Sequence, residues 1–293
     1  MLEAVPNVSE GRDASAILAI GRELASHARL LDVHSDADHH RTVYSLVGEP
    51  AELVASLVSG VAAACELIDL RLHEGVHPRV GAADVVPLVY LHAGDAELAR
   101  GAALEVAARI GEEIGLPVFL YGDVGAGRRP ALFRRGGLAA LDRRVAAGEL
   151  VPEFGPARVG QRSGAVLVGA RKPLVAYNVD LATDELELAR EIAAAVRESS
   201  GGIAGVQAIG LRLPQSGRVQ VSMNLLDLER AALHDVVAAV ASEAAARGIA
   251  VAGGELVGLV PESVLQAARA AGVQVAGVDE SRVLERLAGS SRY

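Results

Sequence analysis

Hydrophobic positions along this chain alternate between two periodicities, a pattern typical of α/β proteins. Apolar runs of strand length are followed repeatedly by stretches whose apolar residues recur at helical spacing. In the first half, residues 2–8 predict a strand, and Ile17, Ile20 and Leu24 predict a helix. Residues 29–33 and 42–47 predict two antiparallel strands joined by a polar turn. We therefore expect an N-terminal mixed sheet with helices packed on it.

The second half shows a cleaner order of elements. Strand patterns lie at 174–181, 206–213, 219–225 and 250–256. One helical pattern carries Leu188, Ile192 and Val196, and another spans 228–247. This β-α-β-β-α-β order predicts a C-terminal ferredoxin-like subdomain. Residues 122–172, rich in Gly and Arg, predict long loops with one helix near 138–147. We place the two subdomains at 1–175 and 176–293.

Composition narrows the class of protein. Hydrophobic residues make up 51% of the 293 residues and aromatic residues only 3%, which predicts a full, aliphatic core. The net charge of −9 argues against broad nucleic-acid binding, although a local basic pocket for an anion stays possible. With one cysteine, Cys65, no signal peptide pattern and no apolar run of membrane-spanning length, we expect a cytoplasmic protein without membrane contact.

Five of the eight histidines lie between residues 34 and 77, in two polar segments. The first, residues 34–41, reads His-Ser-Asp-Ala-Asp-His-His-Arg. One hypothesis is a metal site similar to the His-x-His-x-Asp-His motif, but Asp36 stands where the second His belongs and further ligands are lacking. A second hypothesis is a substrate cleft lined by Asp36, Asp38 and Arg41. The third is a solvated turn capped by Asp.

The second segment, residues 73–79, places a base beside a cation. His77 and Arg79 lie two residues apart, so in an extended loop they point the same way. Histidine can take and return a proton near neutral pH, and arginine can hold a carboxylate with its planar fork. A positive neighbour also keeps a histidine neutral, as a base must be. We therefore interpret His77 as a candidate catalytic base.

Other motifs are less specific. Arg128, Arg129, Arg134 and Arg135 form a basic cluster, which indicates either an anion cradle or a solvated loop. The glycine-rich stretch at 154–164 is neither a Walker loop nor a G-x-G-x-x-G motif after a strand, so nucleotide binding has no support. No G-x-S-x-G elbow is present, which argues against a serine hydrolase.

An ordered set of short motifs resembles the glutamate formimidoyltransferase (formiminotransferase) family over residues 2–275. The motifs are Val-Pro-Asn-Val-Ser-Glu-Gly at 5–11, Leu-Asp-Val at 31–33, Arg-Thr-Val-Tyr at 41–44, His-Pro-Arg at 77–79, Phe-Gly-Pro at 154–156, Gly-Ala-Arg at 169–171, Val-Gln-Ala-Ile-Gly at 206–210, Asn-Leu-Leu-Asp at 224–227 and Leu-Val-Gly-Leu-Val-Pro at 256–261. Each motif is short, and the specificity comes from their order along the chain.

The resemblance implies two α/β subdomains and transfer of a formimidoyl group from N-formimidoyl-L-glutamate to tetrahydrofolate, a step of histidine degradation. It implies that His77 is the catalytic histidine, and we assign Arg79 and Asp36 to the catalytic set beside it. It also implies a folate-binding stretch at Gly155, Pro156, Ala157, Arg158, Val159, Gly160, Gln161, Arg162, Ser163 and Gly164. We assign substrate binding to Asn7, Ser9, Glu10 and Arg41.

The resemblance further implies tetrahydrofolate as co-substrate, no metal and a homodimer. In animals the unit is fused to a cyclodeaminase, so here a separate protein would deaminate the product. The chain departs from the fused enzymes at His34, where they carry an aspartate, and Asp36 or Asp38 stands in for it. Two alternatives stay open at this point: formyl transfer from 5-formyltetrahydrofolate to glutamate, and a metallohydrolase built on residues 34–40.

Overall fold

A computed structural model describes residues 1–289 of the chain. The chain divides into two compact units, residues 1–172 and the part from Pro173 onward. The predicted boundary falls after residue 175, inside the first strand of the second unit.

The first unit is built on a mixed seven-stranded sheet. Its strands are β1 (Leu2–Ala4), β2 (Asn7–Val8), β3 (Arg29–Asp36), β4 (Arg41–Gly48), β5 (Ala83–Val89), β6 (Val118–Gly122) and β7 (Val166–Arg171). β4 pairs antiparallel with β3 on one side and with β1 and β2 on the other, and β1 and β2 pair antiparallel with β5. β5, β7 and β6 follow as parallel neighbours. The predicted mixed sheet is confirmed.

Helices cover both faces of this sheet. They are α1 (Ala14–Leu24), α2 (Pro50–Leu67), α3 (Ala96–Arg109), α4 (Pro130–Arg134) and α5 (Gly137–Ala146). The first three bury aliphatic residues such as Leu57 and Val106 in one core, while α4 and α5 bury Phe133 and Leu141 in another. In the described part of the chain only α2 is long and apolar enough to span a membrane, and its inner face lies in the first core.

Two sequence predictions for the first unit were wrong in detail. The strand expected over residues 2–8 is broken into β1 and β2 at Val5 and Pro6, because proline has no N–H to donate to a sheet ladder. Residues 122–172 were expected to be mostly loop, but they contain β7, the buried strand between β5 and β6. A parallel strand buried on both faces shows no polar alternation, which hid it among the surrounding glycines.

The second unit has the predicted ferredoxin-like order. Its elements are β8 (Val175–Leu181), α6 (Leu186–Val196), β9 (Val206–Arg212), β10 (Val219–Leu225), α7 (Leu233–Ala246), β11 (Val251–Val257), α8 (Glu262–Ala270) and α9 (Leu284–Ala288). The sheet order is β11-β8-β10-β9, and every pairing is antiparallel. One face of each strand packs on α6 and α7 through residues such as Tyr177 and Val221.

Strand pairing in the first unit brings distant segments to one edge of the sheet. Val8 at the end of β2 lies opposite Thr42 at the start of β4 and Ala83 at the start of β5. Just before β5, Gly81 forms a bridge with Gly164, which lies just before β7. The polar segments singled out in the sequence therefore meet at this edge.

Candidate active site

A buried carboxylate, Asp84, lies at the centre of the polar residues at this edge. Its side chain has no solvent exposure. Oδ2 accepts hydrogen bonds from Arg41 Nη1 at 2.6 Å and from Arg134 Nη2, and Oδ1 accepts one from the backbone N–H of Val80 at 2.7 Å. Burial by itself raises the pKa of Asp84, but the charges of Arg134 and Arg41 outweigh burial and lower it. Asp84 is therefore a fixed anion.

Arg41 links this carboxylate to the N-terminal motif. It is the first residue of β4, and its Nε donates to Asn7 Oδ1 at 3.0 Å. Asn7 in turn donates from Nδ2 to the Val5 carbonyl at 2.7 Å, which fixes the amide orientation. Burial and the neighbouring Arg134 lower the pKa of Arg41. Asn7 and Arg41, both predicted to bind substrate, are therefore hydrogen-bonded to each other in the structure.

Arg134 reaches the same carboxylate from α4, on the other side of the sheet. Its side chain is only 16% exposed, and its Nε is buried without a hydrogen-bond partner among residues 1–289. Of the basic cluster predicted from the sequence, Arg128 instead pairs with Glu153 and lies 5.4 Å from the ring centre of Phe133. The cluster therefore does not act as one cradle.

His77, the predicted base, has one ring nitrogen without a hydrogen-bond partner in the described part of the chain. Its Nδ1 is buried and has no hydrogen-bond partner among residues 1–289. The ring stacks on His39 with 5.9 Å between ring centres. Burial, followed by the positive charges of Arg41 and Arg134, holds the pKa of His77 well below its ordinary value. The imidazole is therefore neutral at physiological pH and able to accept a proton.

Arg79 holds the loop that carries His77. Its Nη2 donates to the His77 carbonyl at 2.7 Å, and its Nη1 donates to His73 Nδ1 at 2.5 Å. Because Arg has no acceptor atom, His73 must accept at Nδ1 and donate from Nε2, which reaches the His40 carbonyl at 3.0 Å. Burial and Arg79 lower the pKa of His73 to about 4. Binding of a substrate carboxylate by Arg79 stays a prediction.

The remaining predicted residues shape the surrounding turns. Glu10 Oε1 accepts from the backbone N–H groups of residues 11, 12 and 13 and lies 3.1 Å from His40 Nε2. Ser9 Oγ donates to the Gly81 carbonyl at 2.7 Å. Asp36 accepts from the His39 backbone N–H at 2.7 Å and so caps the turn that ends β3. A direct chemical role for Asp36 stays a prediction.

The first histidine segment packs against the second. The ring of His40 lies 3.9 Å from that of His73, and His39 lies beside His77. Within residues 1–289, no three His, Cys, Asp or Glu side chains are grouped so that they could hold a metal ion. In the structure this segment contributes to the walls around His77.

The predicted folate-binding stretch, residues 155–164, is an exposed loop anchored next to the His77 segment. Gly164 bonds back to the Gly160 carbonyl at 2.9 Å, and Ala82 donates from its backbone to the Ser163 carbonyl at 2.9 Å. Arg162 Nη2 donates to the Glu66 carbonyl at 2.7 Å. Most of the loop, including Arg158, faces solvent, while Val159 is buried. Binding of folate here stays a prediction.

Gly75 offers a test of how tightly the His77 loop must pack. A Cβ at this position would lie 2.6 Å from the His39 carbonyl oxygen and 2.6 Å from His40 Cβ. We expect Gly75→Ala to push the loop off the histidine rings and to destabilise the protein by about 1–3 kcal/mol. Gly101→Ala, where a Cβ meets open space on α3, should be neutral or stabilising by about 0.5–1 kcal/mol. Equal urea midpoints for the two variants would contradict this packing.

Two residues of the site escaped the sequence reasoning. Asp84 was not among the predicted site residues, although an acid at the start of a continuous apolar strand is a signal of a buried, paired charge. Arg134 was one of four arginines in a loop, and no local pattern separates it from Arg135. Only the three-dimensional structure shows that Arg134 reaches Asp84, which lies 50 residues earlier in the chain.

The site combines a neutral histidine with an excess of positive charge. The positive charges of Arg41, Arg79 and Arg134 all lower the pKa of His77. One carboxylate, Asp84, interacts electrostatically with these three guanidinium groups. Such a surface favours an anionic ligand beside a group that can move a proton.

Comparison with known proteins supports the sequence resemblance. The family model for the formiminotransferase domain, N-terminal subdomain, matches residues 1–171, and the formiminotransferase domain model matches residues 176–276. The chain is 37% identical over 298 residues to a glutamate formimidoyltransferase of Thermoplasma acidophilum, covering 98% of this chain and 96% of that protein.

Two further relatives show the same similarity. A glutamate formimidoyltransferase of Streptococcus pyogenes is 35% identical, with 90% of each chain covered. A formimidoyltransferase-cyclodeaminase of Sus scrofa is 40% identical over 90% of this chain, but the match covers only 51% of that longer protein.

Proposed function

Because this chain belongs to the formiminotransferase family, we propose that it transfers the formimidoyl group of N-formimidoyl-L-glutamate to tetrahydrofolate. The products are 5-formimidoyltetrahydrofolate and L-glutamate. The family assignment supports an enzyme of one-carbon transfer, and the site in the first unit supports a proton-moving mechanism on an anionic substrate.

The observation that carries the mechanism is the neutral His77 with its Nδ1 unpartnered among the described residues. N5 of tetrahydrofolate attacks the formimidoyl carbon, and His77 accepts the N5 proton as the tetrahedral adduct forms. The same proton then passes to the glutamate nitrogen as its bond to the carbon breaks. A placed histidine contributes about 10²- to 10⁴-fold to such an exchange. The buried Nδ1 without a protein partner is a nitrogen free to make this hydrogen bond.

Alignment of the two substrates supplies the rest of the catalysis. We assign tetrahydrofolate to residues 155–164, which are anchored beside the His77 segment by the Ala82–Ser163 hydrogen bond. Fixing both reactants in an attack geometry is worth up to about 7–11 kcal/mol in ideal cases. Amine exchange at an amidine carbon then needs only positioning and proton transfer, so the proposal includes no metal. Asp36 is assigned to stabilise the positive charge that develops.

Steady-state rates with two donors test the reaction. We expect turnover with N-formimidoyl-L-glutamate and tetrahydrofolate, measured as the acid-generated methenyl product. We expect no loss of 5-formyltetrahydrofolate on addition of glutamate. The reverse pattern would replace this proposal with formyl transfer, because the two migrating groups differ only in NH against O.

Three further assignments come from the sequence and stay predictions. We place the protein in the cytoplasm, as a homodimer, with its product passed to a separate cyclodeaminase.

A further inference from the structure

Arg41 and Arg134 carry two positive charges, and the carboxylate that both of them bind, Asp84, carries one negative charge. Both guanidinium groups bind the same atom, Asp84 Oδ2, and the other oxygen is taken by the Val80 backbone N–H. One carboxylate therefore serves two largely buried cations. Their side chains are 11% and 16% exposed, so water screens the excess charge poorly.

Three buried nitrogens of the site residues lack partners among residues 1–289. They are Arg134 Nε, a donor, and the Nδ1 atoms of His77 and His40. Buried polar groups in folded proteins are nearly always hydrogen-bonded, so an orphan donor and an open imidazole nitrogen in one site indicate a place for a ligand. The Val80 N–H that binds Asp84 lies three residues after His77, and the charges of Arg41 and Arg134 lower the pKa of His77, so the guanidinium pair lies near the imidazole.

From this geometry we infer that Arg134, oriented together with Arg41 by Asp84, binds the α-carboxylate of the amino-acid donor. The inference rests on the proposed function and adds a specificity-determining residue to it. Asp84 acts as a positioning residue, because it holds both guanidinium groups and leaves Arg134 Nε open.

Covalent geometry selects the α-carboxylate over the side-chain carboxylate. His77 returns its proton to the glutamate nitrogen, so that nitrogen must lie beside the imidazole. The α-carboxyl carbon is separated from this nitrogen by one carbon atom, a distance of about 2.5 Å. The side-chain carboxylate is separated from it by three carbon atoms and can extend away. An anion site close to His77 therefore fits the α-carboxylate.

Calorimetric binding of three ligands to the full chain tests this assignment. The ligands are N-formimidoyl-L-glutamate, N-formimidoyl-4-aminobutyrate, which lacks the α-carboxylate, and N-formimidoyl-L-2-aminobutyrate, which lacks the side-chain carboxylate. Loss of the α-carboxylate should weaken binding to the wild type about 10- to 100-fold, as expected for a charged hydrogen bond. In Arg134→Gln this penalty should fall below about 3-fold, while the penalty for the side-chain carboxylate is unchanged.

The ratio of affinities is measured on one protein, so a general folding defect in Arg134→Gln does not produce the expected pattern. Arg134→Lys, which keeps the charge without the planar fork, should retain part of the α-carboxylate preference. The exposed neighbour provides a matched control: Arg135→Gln should behave as the wild type.

Two results would overturn the assignment. If Arg134→Gln still binds the donor without the α-carboxylate about 10- to 100-fold more weakly, Arg134 only neutralises Asp84. If Arg134→Gln instead no longer distinguishes the donor without the side-chain carboxylate, Arg134 binds the side-chain carboxylate. Wild-type turnover is measured in parallel. Absent turnover with the expected binding pattern would reject the proposed reaction and support the subsite, whereas no binding of any ligand would reject both.

Discussion

Replacing His77 with alanine should lower kcat by at least about 100-fold while leaving tetrahydrofolate binding nearly unchanged. The reason is that His77 combines a neutral ring, whose pKa is held well below its ordinary value, with a ring nitrogen that has no partner among residues 1–289. The loop itself is held by Arg79 through the His77 backbone carbonyl, which the substitution keeps. Stopped-flow rates and folate titration by fluorescence would measure the two effects separately.

The low pKa of His77 also sets the expected pH profile. Below its pKa a histidine is protonated and cannot act as a base, so activity should fall only at pH values well under 6.5. The exposed His27, whose backbone N–H donates to Ser56 Oγ, gives a matched control. His27→Ala should retain full activity. Near-normal turnover in His77→Ala would show that another group moves the proton.

Replacing Asp84 with alanine should destabilise the first unit by about 3–5 kcal/mol. The substitution leaves Arg41 and Arg134 buried with their shared counter-charge removed. It also frees both arginines from their orientation, so activity should be lost together with stability. Urea unfolding followed by circular dichroism would measure the change. Glu105→Ala, an exposed acid on α3, should change stability by less than about 0.5 kcal/mol.

A double substitution separates charge from packing. In Asp84→Asn with Arg134→Gln, one negative and one positive charge are removed together, so the loss of stability should be smaller than the sum of the single losses. Additive single losses would show that the two residues do not interact.

The stability contributed by Asp84 also depends on pH. Because the pKa of Asp84 is lowered in the folded protein, this contribution is present at pH values above the unfolded pKa, near 3.8, and is lost as pH falls through the folded pKa.

The sequence predicted most of the fold because its elements follow clear periodicities. The ferredoxin-like unit was read correctly, since each strand of its sheet alternates between a helix-covered face and a more polar face, as Tyr177 and Asn178 illustrate. Strand β7 was missed for the opposite reason. Its residues are buried on both sides of a parallel sheet, so burial left no alternation to read.

The candidate site was predicted only as far as local chemistry allowed. His77 and Arg79 stand out because a short Gly- and Pro-containing loop brings a base next to a cation. The partnership of Asp84 with Arg134 depends on α4 folding against the opposite face of the sheet, which no spacing in the sequence encodes. Arg79 illustrates the same limit, because its bonds to His73 and to the His77 carbonyl depend on the loop's shape.

The most direct test of the central claim follows an isotopically labelled group through one reaction. N-formimidoyl-L-glutamate carrying ¹³C and ¹⁵N in the formimidoyl group would be mixed with tetrahydrofolate and the purified chain, and the products separated and analysed by mass spectrometry. Our account predicts 5-formimidoyltetrahydrofolate with both labels, together with an equal amount of unlabelled glutamate. Release of the label as ammonia, formamide or formate, with folate unlabelled, would contradict it and indicate hydrolysis.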